Sequence, residues 1–272
     1  MTNFLPLVEK FHSLQGEGFH TGKSAFFIRL AGCNVGCSWC DTKHSWDQKK
    51  YPLISIEKIV NEIKKGQEKG ASFLVITGGE PLHHNLDNLV VFVGNHDMTR
   101  MYSELNERLD LYKMAMSIIC TIRGIPQIYY GTEIAMSSSS DHGELRKDFP
   151  GGWPDDEKDA FTGNGLNETE LEAQSYLKKL LNWRKGNLAI AKGELVHYPI
   201  RDNVYVYFRN YQKDLVMVVV NNSERAKTVY PNQYNEIIKG RTKGVNIIND
   251  RLHYLLREIN ISGKSTMILE IH

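Results

Sequence analysis

The sequence predicts an α/β protein followed by a small antiparallel β domain, and three observations carry that reading. An apolar strand, a capped amphipathic helix and a second apolar strand follow one another between Ser24 and Ile76. Two further apolar strands flank a long amphipathic helix between Leu89 and Tyr130. From Gly193 the pattern switches to short strands separated by turn residues. Strand–helix–strand units at this spacing imply a parallel sheet. The alternating tail implies an antiparallel sheet or sandwich.

Taken in order, Phe4 to Leu14 is mixed and includes a short strand, and Gln15-Gly16-Glu17-Gly18 is a loop where backbone can approach a ligand. Ser24 to Leu30 is a buried strand, and a cysteine-rich stretch starts at its end. Ser55 caps a helix with Glu57 in its first turn, Ile56, Ile59, Val60 and Ile63 on its inner face, and Gly70 as its stop. Ser72 to Ile76 is the next strand, closed by Thr77-Gly78-Gly79-Glu80-Pro81. Leu89 to Val93 is a strand ending at Gly94-Asn95-His96-Asp97. One long helix is predicted through Leu105, Leu109, Tyr112, Ala115, Met116 and Ile119. Ile125 to Tyr130 is a strand, Ala135 to Gly165 a long loop, and Glu168 to Lys185 a helix with Leu171, Leu177, Leu181 and Trp183 inside. Tail strands are predicted over Leu195–Ile200, Val204–Arg209, Leu215–Asn221 and Thr266–Ile271.

Bulk properties exclude several classes. The chain has 272 residues, 41% of them hydrophobic, and a net charge of +1, so no charge bias points to nucleic acid or membrane. The longest apolar run, Leu215 to Val220, is far shorter than the ~20 residues a membrane span needs. The first ten residues lack a basic region and an apolar core, so no signal peptide is expected and the predicted location is cytoplasmic.

Three of the four cysteines, Cys33, Cys37 and Cys40, are spaced C-x3-C-x2-C. In a reducing compartment such a cluster reads as metal ligands rather than disulfides. Three thiolates on one loop can hold three irons of a [4Fe–4S] cluster and leave the fourth iron open. An open iron can chelate S-adenosylmethionine, with electron transfer into the sulfonium to follow. A zinc site is the alternative, with His44 or another residue as fourth ligand. Cys120, in the apolar stretch Met114 to Ile122, reads as a buried, inert thiol.

Four stretches carry a family resemblance: Ser13 to Gly18, Phe27 to Leu30, Cys33 to Thr42, and Thr77 to Pro81. On these, residues 1 to about 86 resemble radical S-adenosylmethionine enzymes of the 7-carboxy-7-deazaguanine synthase family. The resemblance implies ring contraction of 6-carboxytetrahydropterin with loss of ammonia. It assigns Cys33, Cys37 and Cys40 to the cluster, and Trp39, Cys40, Asp41, Gly79 and Glu80 to S-adenosylmethionine. Thr42 would offer its hydroxyl to Mg²⁺, a hard cation that prefers oxygen. Leu14, Gln15, Gly16, Arg29 and Thr77 would contact the pterin, the arginine fork suiting a carboxylate. A reductant protein such as a flavodoxin and a homodimer are also expected.

A second resemblance starts near residue 88. Phe92 to Asp97, Gly124 to Glu133 and Asp148 to Trp153 are similar to stretches of the alpha-amylase family of glycoside hydrolases, in its C-terminal portion. By that likeness Asp97 is the transition-state-stabilising carboxylate and His96 a sugar-hydroxyl partner, with Arg100 and Glu133 as lesser candidates. Retaining hydrolysis needs a nucleophile and a general acid ~5 Å apart. In that family both come from earlier strands, which have no counterpart here, so amylase activity is expected to be absent.

Together the resemblances imply partial (β/α) barrel units from two parents, then a β domain like amylase domain C. The expected domains are 1–87, 88–190 and 191–272. Both parent domains are incomplete, so catalysis by either is expected to be poor or absent. The alternatives to a deazaguanine-type enzyme are a glycoside hydrolase fragment and a non-catalytic product of a gene-model or assembly join.

Overall fold

The computed structural model describes residues 4–16, 22–33, 40–79, 84, 90–96, 98–138 and 141–272. The chain divides into two compact units, Met1–Leu86 and Asp87–His272.

In the first unit, β1 (Phe4–Leu14), β2 (Ser24–Leu30), β3 (Leu53–Ser55) and β4 (Phe73–Gly78) form one sheet in the order β3-β1-β2-β4. β1 runs antiparallel to both β2 and β3, and β2 and β4 are parallel. The helix α1 (Ile56–Glu68) makes the crossover into β4. Ser55 Oγ accepts from Lys58 N, as its place before the first turn predicts. Gly66 lies against Phe26 so closely that a Cβ would collide with the ring, which puts α1 on the Phe26 face of the sheet. Phe11 and Phe27 stack on the opposite face, with centroids 4.8 Å apart.

One expectation fails in α1. Ile59 is buried, but Val60 is 39% exposed, because the contact face turns toward Ile63 and Gly66. Among the described residues β4 is bonded on one side only, and Leu74 and Ile76 are partly exposed. A parallel strand with such an edge is unusual, since parallel sheets are normally covered.

The second unit opens with β5 (Val90–Phe92), paired in parallel with β6 (Ile125–Gln127). Between them the predicted long helix is two helices, α2 (Met101–Glu104) and α3 (Leu109–Thr121). Asn106 and Glu107 break it by adopting left-handed φ values of 52° and 55°. Asn visits that region at low cost, and the short polar break lets α3 start afresh. The loop from residue 135 holds one turn of helix, α4 (His142–Leu145), and is tied by backbone and side-chain hydrogen bonds. Asp156 accepts from the N–H groups of Gly151 and Trp153, and Asp159 from those of Phe161 and Thr162.

The helix α5 (Glu168–Gly186) starts on a capping box of Asn167 and Glu170. It buries Ala173, Leu177 and Leu180, while Leu171 points outward. A short α6 (Leu188–Lys192) leads to the tail.

The tail forms a six-stranded antiparallel sheet from β7 (Glu194–His197), β8 (Val204–Tyr211), β9 (Asp214–Asn221), β11 (Lys243–Asn246), β12 (Leu252–Tyr254) and β14 (Ser265–Ile271). β10 (Lys227–Val229) and β13 (Ile259–Ile261) pair separately, and α7 (Asn235–Ile238) lies between β10 and β11 in the chain. Phe208, Met217, Val219 and Leu269 of the large sheet pack with Val229, Ile259 and Ile261 of the small one, so this is a sandwich. Val216, Val218 and Val220 are buried as well. Both faces of β9 are therefore covered, which is why its sequence is an unbroken apolar run.

Arg209 on β8 is almost fully buried. Its guanidinium donates to Thr121 O at 3.0 Å, Ile190 O at 2.8 Å and Gly193 O at 2.9 Å. It thereby fastens the ends of α3 and α6 to the sheet. Arg209→Ala strands these carbonyls and is expected to lower the stability of the second unit by about 2–4 kcal/mol. Urea unfolding followed by circular dichroism measures this, and an unchanged midpoint would refute the bridging role.

Candidate functional site

The cysteine loop leaves the carboxyl end of β2, and backbone contacts fix where it starts. Ala31 N donates to Pro6 O at 2.9 Å, Gly32 N to Ser45 O at 2.7 Å, and Cys33 N to Trp46 O at 3.2 Å. Residues 43–45, one turn of 3₁₀ helix, thus close the far end of the loop onto its beginning. Ser45 is fully buried and its hydroxyl donates to Thr42 O at 2.7 Å.

The glycines after β4 complete the seat. Gly78 has φ +120°, and a Cβ on it would overlap the carbonyl oxygen of Leu30. A Cβ on Gly79 would overlap that of Gly32. Gly79 N donates to Leu30 O at 2.8 Å. Only glycine lets two parallel strand ends approach this closely. The Thr77–Gly79 turn is therefore packed directly on the entrance of the cysteine loop, at the carboxyl rim where open parallel sheets bind ligands.

Cys33 and Cys40 are free and half-buried. Cys40 Sγ lies 3.5 Å from Thr42 Oγ1 and accepts from Trp46 Nε1 at 3.3 Å. Hydrogen bonding from Thr42, with a smaller share from Trp46, holds the Cys40 thiol below its ordinary pKa, against desolvation and the weaker opposing Asp41 charge. Such a thiol reaches its thiolate, the ligand form, more readily. Thr42 Oγ1 also lies 3.3 Å from Gly78 O, a second acceptor for its single proton, which links the loop to the glycine turn. By contrast, burial pushes the fully covered Cys120 thiol up to about 11.

Arg29 and Thr77 are register partners on β2 and β4 and share a sheet face with Glu9. Arg29 Nε lies 2.7 Å from Glu9 Oε1 as an ion pair. Leu14, Gln15 and Gly16 lie elsewhere. Leu14 pairs with Ser24, at the opposite end of β2 from the cysteine loop, roughly 16 Å from Arg29 at the usual rise per residue. Gln15 N donates to Lys23 O, and Gly16 faces open space. Cys37, Trp39, Glu80 and Asp97 lie outside the described residues. Among the described residues, no three His, Cys, Asp or Glu side chains are grouped to hold a metal ion.

Two residues near the loop escaped the sequence reading. Trp46 gave no signal because its link to Cys40 depends on the intervening turn. His84 is buried, with Cε1 3.2 Å from where a Cβ on Gly32 would be; only its place after the Gly79-Glu80-Pro81 stretch could have drawn notice.

In the second unit His96 is exposed beyond the end of β5. Arg100 is buried: it donates to Tyr130 O at 2.7 Å and Leu145 O at 3.1 Å, and sits 5.0 Å from the Tyr129 and Tyr130 ring centroids. It clamps loops together instead of facing a cleft.

Comparison with known proteins follows this division. Residues 27–143 match the radical SAM superfamily, and residues 195–270 match the cyclo-malto-dextrinase C-terminal domain. A 7-carboxy-7-deazaguanine synthase from Prochlorococcus marinus is 61% identical over 89 residues, 33% of this chain and 40% of that protein. The synthase of Escherichia coli K12 is 42% identical over 98 residues, 30% of this chain and 44% of its own. The chain matches two families, one in each part. Its N-terminal third is similar to 7-carboxy-7-deazaguanine synthase and spans less than half the length of those relatives. The superfamily match runs to residue 143, past the boundary at 86 between the compact units.

Among solved structures, the alpha-amylase from Geobacillus thermoleovorans complexed with acarbose aligns with a TM-score of 0.54 at 19% identity, over 79% of this chain and 43% of that one. An Anoxybacillus alpha-amylase gives 0.52 at 19% identity, over 79% and 42%. At this identity the likeness establishes the fold alone. The radical SAM superfamily takes a [4Fe–4S] cluster and S-adenosylmethionine. No helix among the described residues is long and apolar enough to cross a membrane.

The Cys40 environment has a direct consequence. In the metal-free protein Cys40 is expected to alkylate with iodoacetamide at a lower pH than Cys120. Thr42→Val should move the Cys40 rate profile to higher pH, because it removes the strongest thiolate-favouring contact. Peptide mass spectrometry reads each cysteine separately. A Cys40 profile that Thr42→Val leaves in place would show that the hydroxyl does not set the thiol's acidity.

Proposed function

We propose that the radical SAM part binds a [4Fe–4S] cluster and S-adenosylmethionine and derives from a 7-carboxy-7-deazaguanine synthase acting on 6-carboxytetrahydropterin. One observation carries the reading: the cysteine loop issues from β2 directly beside the Gly78–Gly79 turn, with a half-buried, acidified thiol at its far end. Free thiols on a loop whose two ends are pinned by backbone hydrogen bonds fit a cluster. The thiolate-favouring contacts on Cys40 fit it further.

Cys33, Cys37 and Cys40 would hold the cluster. When bound, the cluster supplies an electron to S-adenosylmethionine and so opens radical chemistry. Trp39, Asp41, Gly79 and Glu80 would line that cofactor, and the close approach at Gly79 leaves backbone rather than side chain toward it. Thr42 Oγ1, within reach of Cys40 Sγ and Gly78 O, would offer one neutral oxygen, which suits a largely hydrated Mg²⁺. Arg29 would orient the pterin carboxylate, with Glu9 as its resting partner. Thr77 adds a hydroxyl on the same face. Leu14, Gln15 and Gly16, at the opposite end of β2 from Arg29, would add substrate contacts by the family resemblance alone. A cytoplasmic reductant such as a flavodoxin and a homodimer complete the proposal.

For residues 88–272 we propose a scaffold without glycosidase turnover. His96 and Asp97 would supply one supporting carboxylate and a hydroxyl partner, whereas retaining hydrolysis requires a nucleophile and an acid. No release of reducing ends from maltooligosaccharides is expected. Turnover abolished by Asp97→Ala would overturn this part.

Anaerobic reconstitution tests the main proposal. About four irons per chain and a broad absorption near 400 nm are expected. Cys33→Ala and Cys40→Ala should each lose most of the iron. Folded protein that takes up no iron, or takes up one zinc with tetrahedral thiolate signatures instead, would end the reading.

A further inference from the structure

Trp46 is tied to both ends of the cysteine loop. Its carbonyl oxygen accepts from Cys33 N at 3.2 Å, and its indole Nε1–H donates to Cys40 Sγ at 3.3 Å. Its own N–H donates to Lys43 O at 3.2 Å, closing the 3₁₀ turn of residues 43–45. One residue outside the motif thus clips the first cysteine of C-x3-C-x2-C to the last. The neighbouring Ser45 is fully buried, accepts from Gly32 N through its carbonyl and donates its hydroxyl to Thr42 O. The backbone that carries the indole is therefore held in place on both sides.

The acceptor matters. A neutral thiol is a weak acceptor, and two other described indoles, those of Trp153 and Trp183, donate to the carboxylates of Asp148 and Glu270. A thiolate is charged, and a hydrogen bond to a charged acceptor is roughly twice as strong as a neutral one. The Trp46–Cys40 bond therefore gains most when the sulfur is a thiolate, the form that ligates metal. A tether for the loop needs no sulfur, because the Cys33–Trp46 and Gly32–Ser45 backbone bonds already supply one.

Hydrogen bonds to ligating sulfurs are one of the levers by which a protein sets the potential of an iron–sulfur cluster. An N–H aimed at such a sulfur favours the state with more negative charge, the reduced one, and so raises the potential. We propose that Trp46 is a positioning residue that raises the reduction potential of the cluster through its indole N–H bond to Cys40. This role rests on the ligation by Cys33, Cys37 and Cys40 proposed above. No covalent bond changes: one electron enters the cluster from an external reductant with or without the indole, and Trp46 alters only the potential at which it does so.

Trp46→Phe keeps a ring and removes the N–H. The anaerobically reconstituted full chain is poised with dithionite and redox mediators, and the reduced cluster is counted by electron paramagnetic resonance. Wild type and Trp46→Phe should both take up about four irons per chain. At a poise near the wild-type midpoint, the reduced-to-oxidised ratio of Trp46→Phe should be lower by a factor of about 3 to 10. Tyr51→Phe removes a different hydrogen bond of the same segment, from Tyr51 Oη to His44 O, and should leave the ratio at the wild-type value. If Trp46→Phe loads iron poorly, site-specific replacement of Trp46 by benzothienylalanine, an isostere with sulfur in place of the N–H, gives the same comparison. Full iron loading with an unmoved midpoint, or an equal shift in Tyr51→Phe, overturns the role and leaves the cluster reading intact. Poor loading of the isostere as well marks Trp46 as a tether only and also overturns it. A wild-type chain that takes up no iron overturns both.

Discussion

The first unit depends on two glycines. Gly78 and Gly79 let the end of β4 rest on the backbone of Leu30 and Gly32, so the two parallel strands finish side by side with no side chain between them. Everything proposed for the cysteine loop follows from that approach. It sets the loop's starting point, gives Thr42 a carbonyl to hold, and leaves backbone lining the rim. The other end is fixed by Ser45 and Trp46 folding back onto Gly32 and Cys33.

The second unit rests on a different constraint, the double coverage of β9. Its inner face meets β10 and β13, and Arg209 on the neighbouring strand ties the other side to α3 and α6. The sandwich therefore has a complete core of its own. The parallel pair β5–β6 does not: Val90, Phe92 and Ile125 are about half exposed, although parallel strands are ordinarily buried on both faces. The contrast locates what is missing, namely the strands and helices that would flank such a pair in a closed barrel.

Much of this was legible from residues whose signals are local. Ser24–Leu30 is the strand the apolar run predicted, Ser55 is the cap, and the Cys33–Cys40 spacing needs no tertiary knowledge to suggest a cluster. What escaped is what tertiary contact decides. Val60 fits the helical stripe as well as Ile59 does, yet the sheet meets only one edge of it. The break at Asn106 and Glu107 interrupts a pattern that remains periodic, so periodicity alone could not show it. The short strands β10 to β13 carry too few residues for alternation to register. Trp46 and His84 join the cysteine loop only through the folded turn and the Gly32 approach.

Truncation acts unequally on two kinds of site. The proposed cluster loop would draw its ligands from eight consecutive residues, Cys33 to Cys40, all present in a chain that spans 40% of a related synthase. A retaining glycosidase draws its carboxylates from the ends of separate barrel strands, so removing the early strands removes the chemistry while leaving the late ones recognisable. The same reasoning separates ligand binding from turnover in the first unit. The proposed cysteine ligation is local, whereas the proposed pterin contacts would draw on Arg29 and Thr77 at one end of β2 and β4 and on Leu14 to Gly16 at the other. Metal binding, as proposed, would therefore depend least on the rest of a barrel, and substrate turnover most.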